Sequence, residues 1–394
     1  MSQIISVSEA KSRLKKSIPT GPSNFCRIHL SNGRILAKNI IAPMDVPSFD
    51  NSAMDGYAIA WEDPGENREV VGLVAAGDSE LKSLQKGEAA RIFTGAPIPP
   101  GADTVIQQEK IIRTGNQILF DRKDLKQGVS VRLRGTQCKE GDEILKAESQ
   151  INPGTISLLA SLGIGEVEVF DLPKIALIVT GNELREVGQQ LNPGQIYNSS
   201  GPAIQAYLAA VGVKDVQIFH VEDDFDKVKS TLKEALKVSD FLLVTGGISV
   251  GDFDFVKDGL SENEVEEIFY KISQRPGKPL FAGKKEEKII FALPGNPASV
   301  LTCFLNYVKP SILQWSGHSD SWKPSQLLPL AESFTKSVNL TLFLKAKIEN
   351  GQVQILAGQE SFNLLSFGQA DGLAEIPIEA EFLEAGSQVS FYLW

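Results

Sequence analysis

Between residues 173 and 316 the chain repeats one pattern, and that pattern constrains its fold more than any other feature. KIALIVTG (174–181), DVQIFHVEDD (215–224), FLLVTGG (241–247) and EKIIFALPG (287–295) are short, apolar and β-branched, and each ends in Gly or Asp. Helical patterns separate them, PAIQAYLAAVG and DFDKVKSTLKEALKVSD. In the second, Phe225, Val228, Leu232 and Leu236 fall on one face at helical spacing. Strands alternating with helices predict a parallel sheet covered on both sides, an α/β segment.

The rest of the chain reads differently. Residues 4–17 predict an amphipathic helix capped by Ser6 or Ser8. From 41 to 142 short β-like runs are broken by Gly, Pro and Asn, with a hairpin turn at Gly115-Asn116. Residues 151–163 predict a helix closed by Gly163. Beyond 320 the texture is all-β: LFLKAKIENGQVQIL carries Asn350-Gly351 between alternating runs, and GSQVSFYLW alternates like a terminal strand.

Charge and cysteine usage exclude several function classes. The formal net charge is −10, which argues against a nucleic-acid grip. Three scattered cysteines, Cys26, Cys138 and Cys303, form no disulfide framework, and three scattered histidines, His29, His220 and His318, make a zinc site improbable. No apolar run reaches the roughly 18 residues that span a bilayer. These features predict a cytoplasmic, soluble protein with no membrane partner.

In an open parallel sheet, ligands bind outside the carboxyl ends of the strands. Four strand ends here deliver polar chemistry to one edge: Thr180-Gly181-Asn182-Glu183, Asp223-Asp224, GGISVGDFD (246–254) and PGNPAS (294–299). Gly246, Gly247 and Gly251 admit close backbone approach and Ser249 adds a hydroxyl, which together predict a phosphate cradle. Any one such loop reads more readily as a plain strand-to-helix turn; four at one edge reverse that and favour a ligand. Glu183, Asp223 and Asp254 at that edge would repel a phosphate unless a hard cation such as Mg²⁺ intervened. Helix capping is the alternative for the aspartates.

YKISQRPGKP then sets Lys271, Arg275 and Lys278 among Pro276 and Pro279, a stiff cationic group suited to an oxyanion. A solvated charged loop is its plainer reading. Pro294 and Pro297 stiffen the turn in PGNPAS. PSFDNSAMDGYA (47–58) crowds Asp50, Asn51, Ser52 and Asp55 together, and FTGAPIPPGADTVIQQE (93–109) opens on Thr94-Gly95. The residues alone imply a phosphate compound with Mg²⁺ at the sheet edge and name no reaction.

At PSFDNSAMDGYA, FTGAPIPPGADTVIQQE, TGNEL, GGISVGDFDF, RPGKP and PGNPAS, in that order across the whole chain, the sequence resembles the molybdopterin molybdenumtransferase family, MoeA and the E domain of gephyrin. The resemblance implies Mg²⁺-dependent insertion of molybdate into adenylylated molybdopterin with release of AMP. It implies an α/β multidomain fold: an extended helical segment (1–40 and 143–172), a β-rich domain (41–142), a doubly wound, mostly parallel molybdopterin-binding domain (173–317) and a C-terminal β-barrel (318–394). It further implies a homodimer in which the β-rich domain of one subunit faces the doubly wound domain of the other. An upstream adenylyltransferase would hand over the intermediate.

Carried over by position, Asp55 and Thr94 match cleft residues of the β-rich domain. Glu183, Asp223 and Asp254 match the acidic group near nucleotide and metal. Lys271, Arg275 and Ser366 match positions for molybdate and terminal pterin groups, and Pro294 and Pro297 shape the wall. Two positions depart from the family pattern: Asn182 where an acid is usual, and Gln137 where an Asp is common. A pterin-binding scaffold, a tungstate-inserting homologue, and a nucleotide-processing enzyme sharing only the doubly wound domain are the alternatives. The sequence does not separate molybdate from tungstate.

Overall fold

The computed structural model describes residues 4–248 and 255–394. The chain divides into two units, one formed by Met1–Phe25, Gly33–Ala37 and Glu168–Trp394, the other by Cys26–Asn32 and Lys38–Val167. Helix α1 (Val7–Ser17) opens the first, and of the two candidate caps Ser6 serves, its side chain accepting from the Glu9 N–H. Lys15 and Lys16 in its last turn complement the helix dipole.

The second unit is built on six strands: β1 (Gly56–Ile59), β2 (Asn67–Val74), β3 (Glu88–Ile92), β4 (Thr104–Gln107), β5 (Ile111–Thr114) and β6 (Gln117–Phe120). They form one sheet in the order β4-β1-β3-β2-β6-β5, antiparallel except between β2 and β3. Gly115-Asn116 closes the β5–β6 hairpin as its spacing predicts. Period-2 alternation splits the core, with Tyr57 and Ile59 on one face and Ala58 on the other. Helix α2 (Pro153–Ser161) follows, capped by Asn152, with Gly163 at positive φ beyond its end.

In the first unit the α/β segment runs β7 (Ile175–Thr180), α3 (Ser200–Ala210), β8 (Val216–Val221), α4 (Phe225–Val238), β9 (Phe241–Thr245), α5 (Phe255–Glu262), β10 (Glu266–Lys271), β11 (Gln274–Arg275), β12 (Pro279–Lys285), β13 (Lys288–Leu293), α6 (Pro297–Cys303) and α7 (Lys309–Trp315). A π-helical turn, Phe304–Val308, joins α6 to α7. The sheet order is β8-β7-β9-β13-β12-β10. The first four strands are parallel, and β12 is antiparallel to both its neighbours. The parallel pattern stops there because Glu286-Glu287, with Glu286 at positive φ, forms a two-residue hairpin where a parallel pair would need a crossover. As a result β10 runs in the same sense as the parallel four, and Lys271 ends at their carboxyl edge.

Both faces of this sheet are buried, which is why its strands read as continuous apolar runs. Ile175, Leu177 and Val179 pack with α1, α3 and α6, whereas Ala176 and Ile178 pack with α4 and α5. Five further strands, β14 (Gln326–Pro329), β15 (Thr341–Glu349), β16 (Gln352–Ile355), β17 (Gly372–Ile376) and β18 (Gln388–Leu393), join β11 in the order β11-β15-β17-β18-β14, with β16 paired to β15. Asn350 and Gly351 both take positive φ in the β15–β16 hairpin, as an Asn-Gly turn requires. A single bridge from Leu330 to Val353 brings the end of β14 back to β16.

Candidate functional site

The carboxyl ends of β7, β8, β9 and β13 enclose a cavity of about 270 Å³. The loop after β7 supplies Gly181 and Glu183, the end of β8 supplies Asp223, the turn after β9 supplies Gly246 and Gly247, and the turn into α6 supplies Gly295 and Pro297. This is the edge that strand polarity predicts for a ligand. Asn198, Ser199 and Ser200 complete the wall without having been singled out from the sequence. Their signal is the helix-start string NSSGP: Asn198 Oδ1 accepts from Gly201 N at 2.9 Å at the beginning of α3.

The glycine turn differs from its expected role. Gly246 donates its N–H to Leu293 O at 3.2 Å, so that group completes the sheet and is not offered to a phosphate. Gly246 and Gly247 take positive φ, and Cβ atoms there would come 2.6 Å from Thr180 Oγ1 and 2.7 Å from Val256 Cγ2. Close packing therefore demands both glycines. Ser249, Gly251 and Asp254 lie outside the described residues.

The two neighbouring aspartates separate cleanly. Asp224 is the cap of α4, its carboxylate accepting from Lys227 N at 2.9 Å. Asp223 is free of that duty and faces the cavity, exchanging two bonds with the loop opposite: Asn182 N donates to Asp223 Oδ2, and Asp223 N donates to Asn182 Oδ1, both at 3.2 Å. An asparagine at 182 supplies this acceptor without adding a negative charge of its own. Pro294 is buried behind the cavity, and Pro297 starts α6, whose cap Asn296 accepts from Ala298 N and donates to Ser361 Oγ at 3.2 Å.

Lys271, Arg275 and Lys278 occupy one tight excursion of chain. It leaves the α/β sheet at Lys271, pairs Gln274 and Arg275 with Thr341 and Leu342 of β15, and returns at Pro279. Arg275 and Lys278 are exposed. Among the described residues none of the three cations has a carboxylate within ion-pair distance; Lys271 Nζ lies 5.0 Å from the Tyr270 ring centroid.

Ser366 does not join them. It is 4% exposed, and its hydroxyl donates to Gly358 O at 2.7 Å within the loop before β17. The same loop is held by buried Lys345, whose ammonium donates to the carbonyls of Gly358, Glu360 and Asn363. In this structure Ser366 thus spends its hydroxyl within a segment wound on a lysine.

In the other unit Asp55 and Thr94 meet directly. The Thr94 N–H and hydroxyl both donate to Asp55 Oδ1 at 2.8 Å. These bonds, the backbone one foremost, with a smaller contribution from the Arg91 charge, hold the Asp55 carboxyl below the usual carboxylate range. Asp55 is therefore a carboxylate at neutral pH, able to accept hydrogen bonds or balance a cation. Its neighbours in PSFDNSAMDGYA are structural: Asp50 accepts from Arg134 N at 2.7 Å and the Ser52 hydroxyl donates to Met54 O. Exposed Gln137 donates its backbone N–H to Val46 O, a bond indifferent to its side chain.

Mg²⁺ is compatible with the cavity's donor set. Glu183 folds its carboxylate over Gly181, 2.8 Å from where a Cβ would stand, and Asp223 lies on the same wall. Two carboxylates beside serine and asparagine oxygens are what Mg²⁺ takes when substrate phosphates and waters fill its remaining positions. Among the described residues no group of three or more His, Cys, Asp or Glu is placed as a metal cage; Asp254, the third carboxylate expected at this edge, lies outside them.

Three family models match the chain: MoeA N-terminal region (domain I and II) over residues 5–163, probable molybdopterin binding domain over 176–314, and MoeA C-terminal region (domain IV) over 328–394. A molybdopterin molybdenumtransferase of Staphylococcus epidermidis is 34% identical, the match covering 99% of this chain and 95% of the relative. One of Staphylococcus aureus matches to the same extent. Among solved structures, a molybdopterin biosynthesis MoeA protein from Pyrococcus horikoshii is 32% identical with a TM-score of 0.83, over 99% of both chains. No helix of the described residues is long and apolar enough to cross a membrane.

Proposed function

The chain belongs to the molybdopterin molybdenumtransferase family, enzymes of molybdenum cofactor biosynthesis, and from that premise we propose that it inserts molybdate at the dithiolene sulfurs of adenylylated molybdopterin with release of AMP. The observation carrying this reading is the cavity at the carboxyl edge of β7, β8, β9 and β13, which lies within the residues matched by the molybdopterin-binding model. The α3 start at Asn198–Ser200 turns its positive dipole end toward anionic phosphate groups there. Glu183 and Asp223 are the residues that would hold Mg²⁺. The ion supplies, when bound, charge neutralisation at the phosphoanhydride and on the departing AMP.

Lys271, Arg275 and Lys278 offset the double charge of molybdate, a tetrahedral oxyanion suited to charge-assisted hydrogen bonds. Asp55, kept ionised by Thr94, is the catalytic carboxylate of the β-rich unit. No nucleophilic thiol takes part. Cys138 and Cys303 are buried, and burial pushes the Cys303 thiol up, away from thiolate.

In this reading the α/β part is doubly wound, the C-terminal sheet is a small barrel, and the chain divides at 41, 143, 173 and 318. The enzyme works as a cytoplasmic homodimer receiving its substrate from an adenylyltransferase. Family matches on both sides of the α/β segment weigh against a nucleotide-processing enzyme that shares only that segment. The test is AMP release from adenylylated molybdopterin with and without molybdate. Release that depends on molybdate and falls by about 10² or more in Asp55→Ala is the expected result. Unchanged turnover in that variant removes Asp55 from the chemistry, and tight pterin binding with no AMP release supports a scaffold instead.

A further inference from the structure

The cationic excursion rests on buried polar groups that no part of the proposed reaction uses. Gln274 lies between Lys271 and Arg275 and is 1% exposed. Its amide Nε2 donates to Pro276 O at 3.0 Å and to Gly277 O at 3.2 Å. Its Oε1 accepts from the hydroxyl of Tyr307, which is fully buried in the π-helical turn after α6. Cys303 Sγ donates to Gly277 O at 3.7 Å from the same helix.

Burial holds the Tyr307 hydroxyl well above the ordinary tyrosine range, so it remains a donor. A Tyr307 donor fixes which end of the Gln274 amide faces it, and the amide nitrogen must then point at the two carbonyls. Those carbonyls belong to the two residues between Arg275 and Lys278. Turning both inward leaves the flanking cationic side chains outside. Gly277 has no room for adjustment: its φ is positive, and a Cβ there would stand 2.5 Å from Cys303 Sγ.

The support is also continuous with the cavity. Pro297, at the start of α6, lines the cavity; Cys303 ends that helix, and Tyr307 follows in the next turn. One run of helical chain therefore touches the cavity at its start and grips the cationic turn farther along.

We propose that Gln274 and Tyr307 are positioning residues for oxyanion binding: the buried pair locks the Pro276 and Gly277 carbonyls inward and so sets where Arg275 and Lys278 present their charges. This rests on the reading of that turn as the molybdate site. Neither residue touches the oxyanion. Their contribution is preorganisation, which appears in oxyanion affinity and leaves the affinity for the pterin substrate alone.

The experiment measures AMP release by the full chain with molybdate and adenylylated molybdopterin varied separately, beside equilibrium binding of molybdate alone. The variants are Tyr307→Phe, Gln274→Met, Arg275→Ala and the Tyr307→Phe/Arg275→Ala pair. Tyr307→Phe keeps the ring and removes only the donor, and thermal melting reports its fold. The expected result is a KM for molybdate raised about tenfold by Tyr307→Phe and by Gln274→Met, the worth of one hydrogen bond to this support. The KM for the pterin substrate and kcat stay within about twofold of the parent, and Tyr307→Phe adds less than its tenfold once Arg275 is alanine, because only Lys278 is then left to position. If Arg275→Ala weakens molybdate binding while Tyr307→Phe and Gln274→Met do not, the positioning role is overturned and the oxyanion site stands. If Arg275→Ala itself leaves molybdate binding unchanged, the site reading fails and the positioning role falls with it. Equal losses for both substrates in a folded Tyr307→Phe protein also overturn the proposal.

Discussion

Asp55 shows how two hydrogen bonds from one residue decide what a surface carboxylate can do. Its charged form accepts both Thr94 donors on a single oxygen, so protonation must give up their charge-assisted strength, and the pKa moves down. The direction carries a prediction. A group with a depressed pKa keeps its charge, and any activity that needs it, as pH falls through the ordinary carboxylate range, losing both only below. Thr94→Val removes the hydroxyl donor and keeps the backbone one, so the acid limb of the pH–rate profile moves to higher pH by part of the full shift. Thr94→Ser restores the donor and moves the limb back. An acid limb that is the same in all three proteins would detach Asp55 ionisation from turnover. Neighbouring residues of similar chemistry take no share: Asp50 and Ser52 spend their side chains on backbone partners.

At the scale of elements, adjacent residues divide between structure and chemistry according to where a strand stops and a helix starts. Asp224 falls one position into the α4 cap and Asp223 remains on the cavity wall. Asp224→Ala is expected to cost about 1 kcal/mol of stability, the usual worth of a cap, and to spare AMP release. Asp223→Asn is expected to do the reverse, with near-parental denaturant unfolding and a strong loss of AMP release. Equal behaviour of the two variants in both measurements would place the cap and the site in one residue and contradict this division. The Asp223–Asp224 ambiguity also marks how far sequence reaches. The Asn350-Gly351 hairpin, a serine cap at Ser6 or Ser8 and the four parallel strand ends are legible because their causes are local: turn chemistry, capping and periodicity. The antiparallel course of β12 is not, since it depends on a short hairpin turn at Glu286 that carries no Gly or Asn signal. Ser366 reads as an available hydroxyl, and its bond to Gly358 O is hidden because it depends on Lys345, about twenty residues earlier on β15, which winds the segment inward. The packing demand on Gly246 is equally hidden, because it comes from Thr180 on a separate strand, which stands where a Cβ would be. In each case the missing information is a long-range contact.

At the scale of the whole molecule, an acidic chain is proposed to capture a dianion, and the two facts make opposing predictions about salt. The formal net charge is −10, and if that global field governed encounter, screening it would strengthen oxyanion binding. Against it stand Lys271, Arg275 and Lys278, gathered within eight residues and without carboxylate partners among the described residues. Range decides between them. At about 0.1 M salt the Debye length is roughly 10 Å, so charges spread over a 394-residue chain are largely screened from one another's ligands, while cations in contact with the oxyanion are not. Local attraction should therefore dominate, and added salt should weaken it. The KM for molybdate is expected to rise about threefold to tenfold as sodium chloride goes from about 0.05 to about 0.5 M, with the pterin concentration saturating. Arg275→Gln should flatten that dependence, because one of the attracting charges is gone. A KM that instead falls with salt in the parent protein would mean that net charge governs approach and that the cationic turn does not hold the anion. A rise of the same steepness in parent and variant would assign the attraction to other cations.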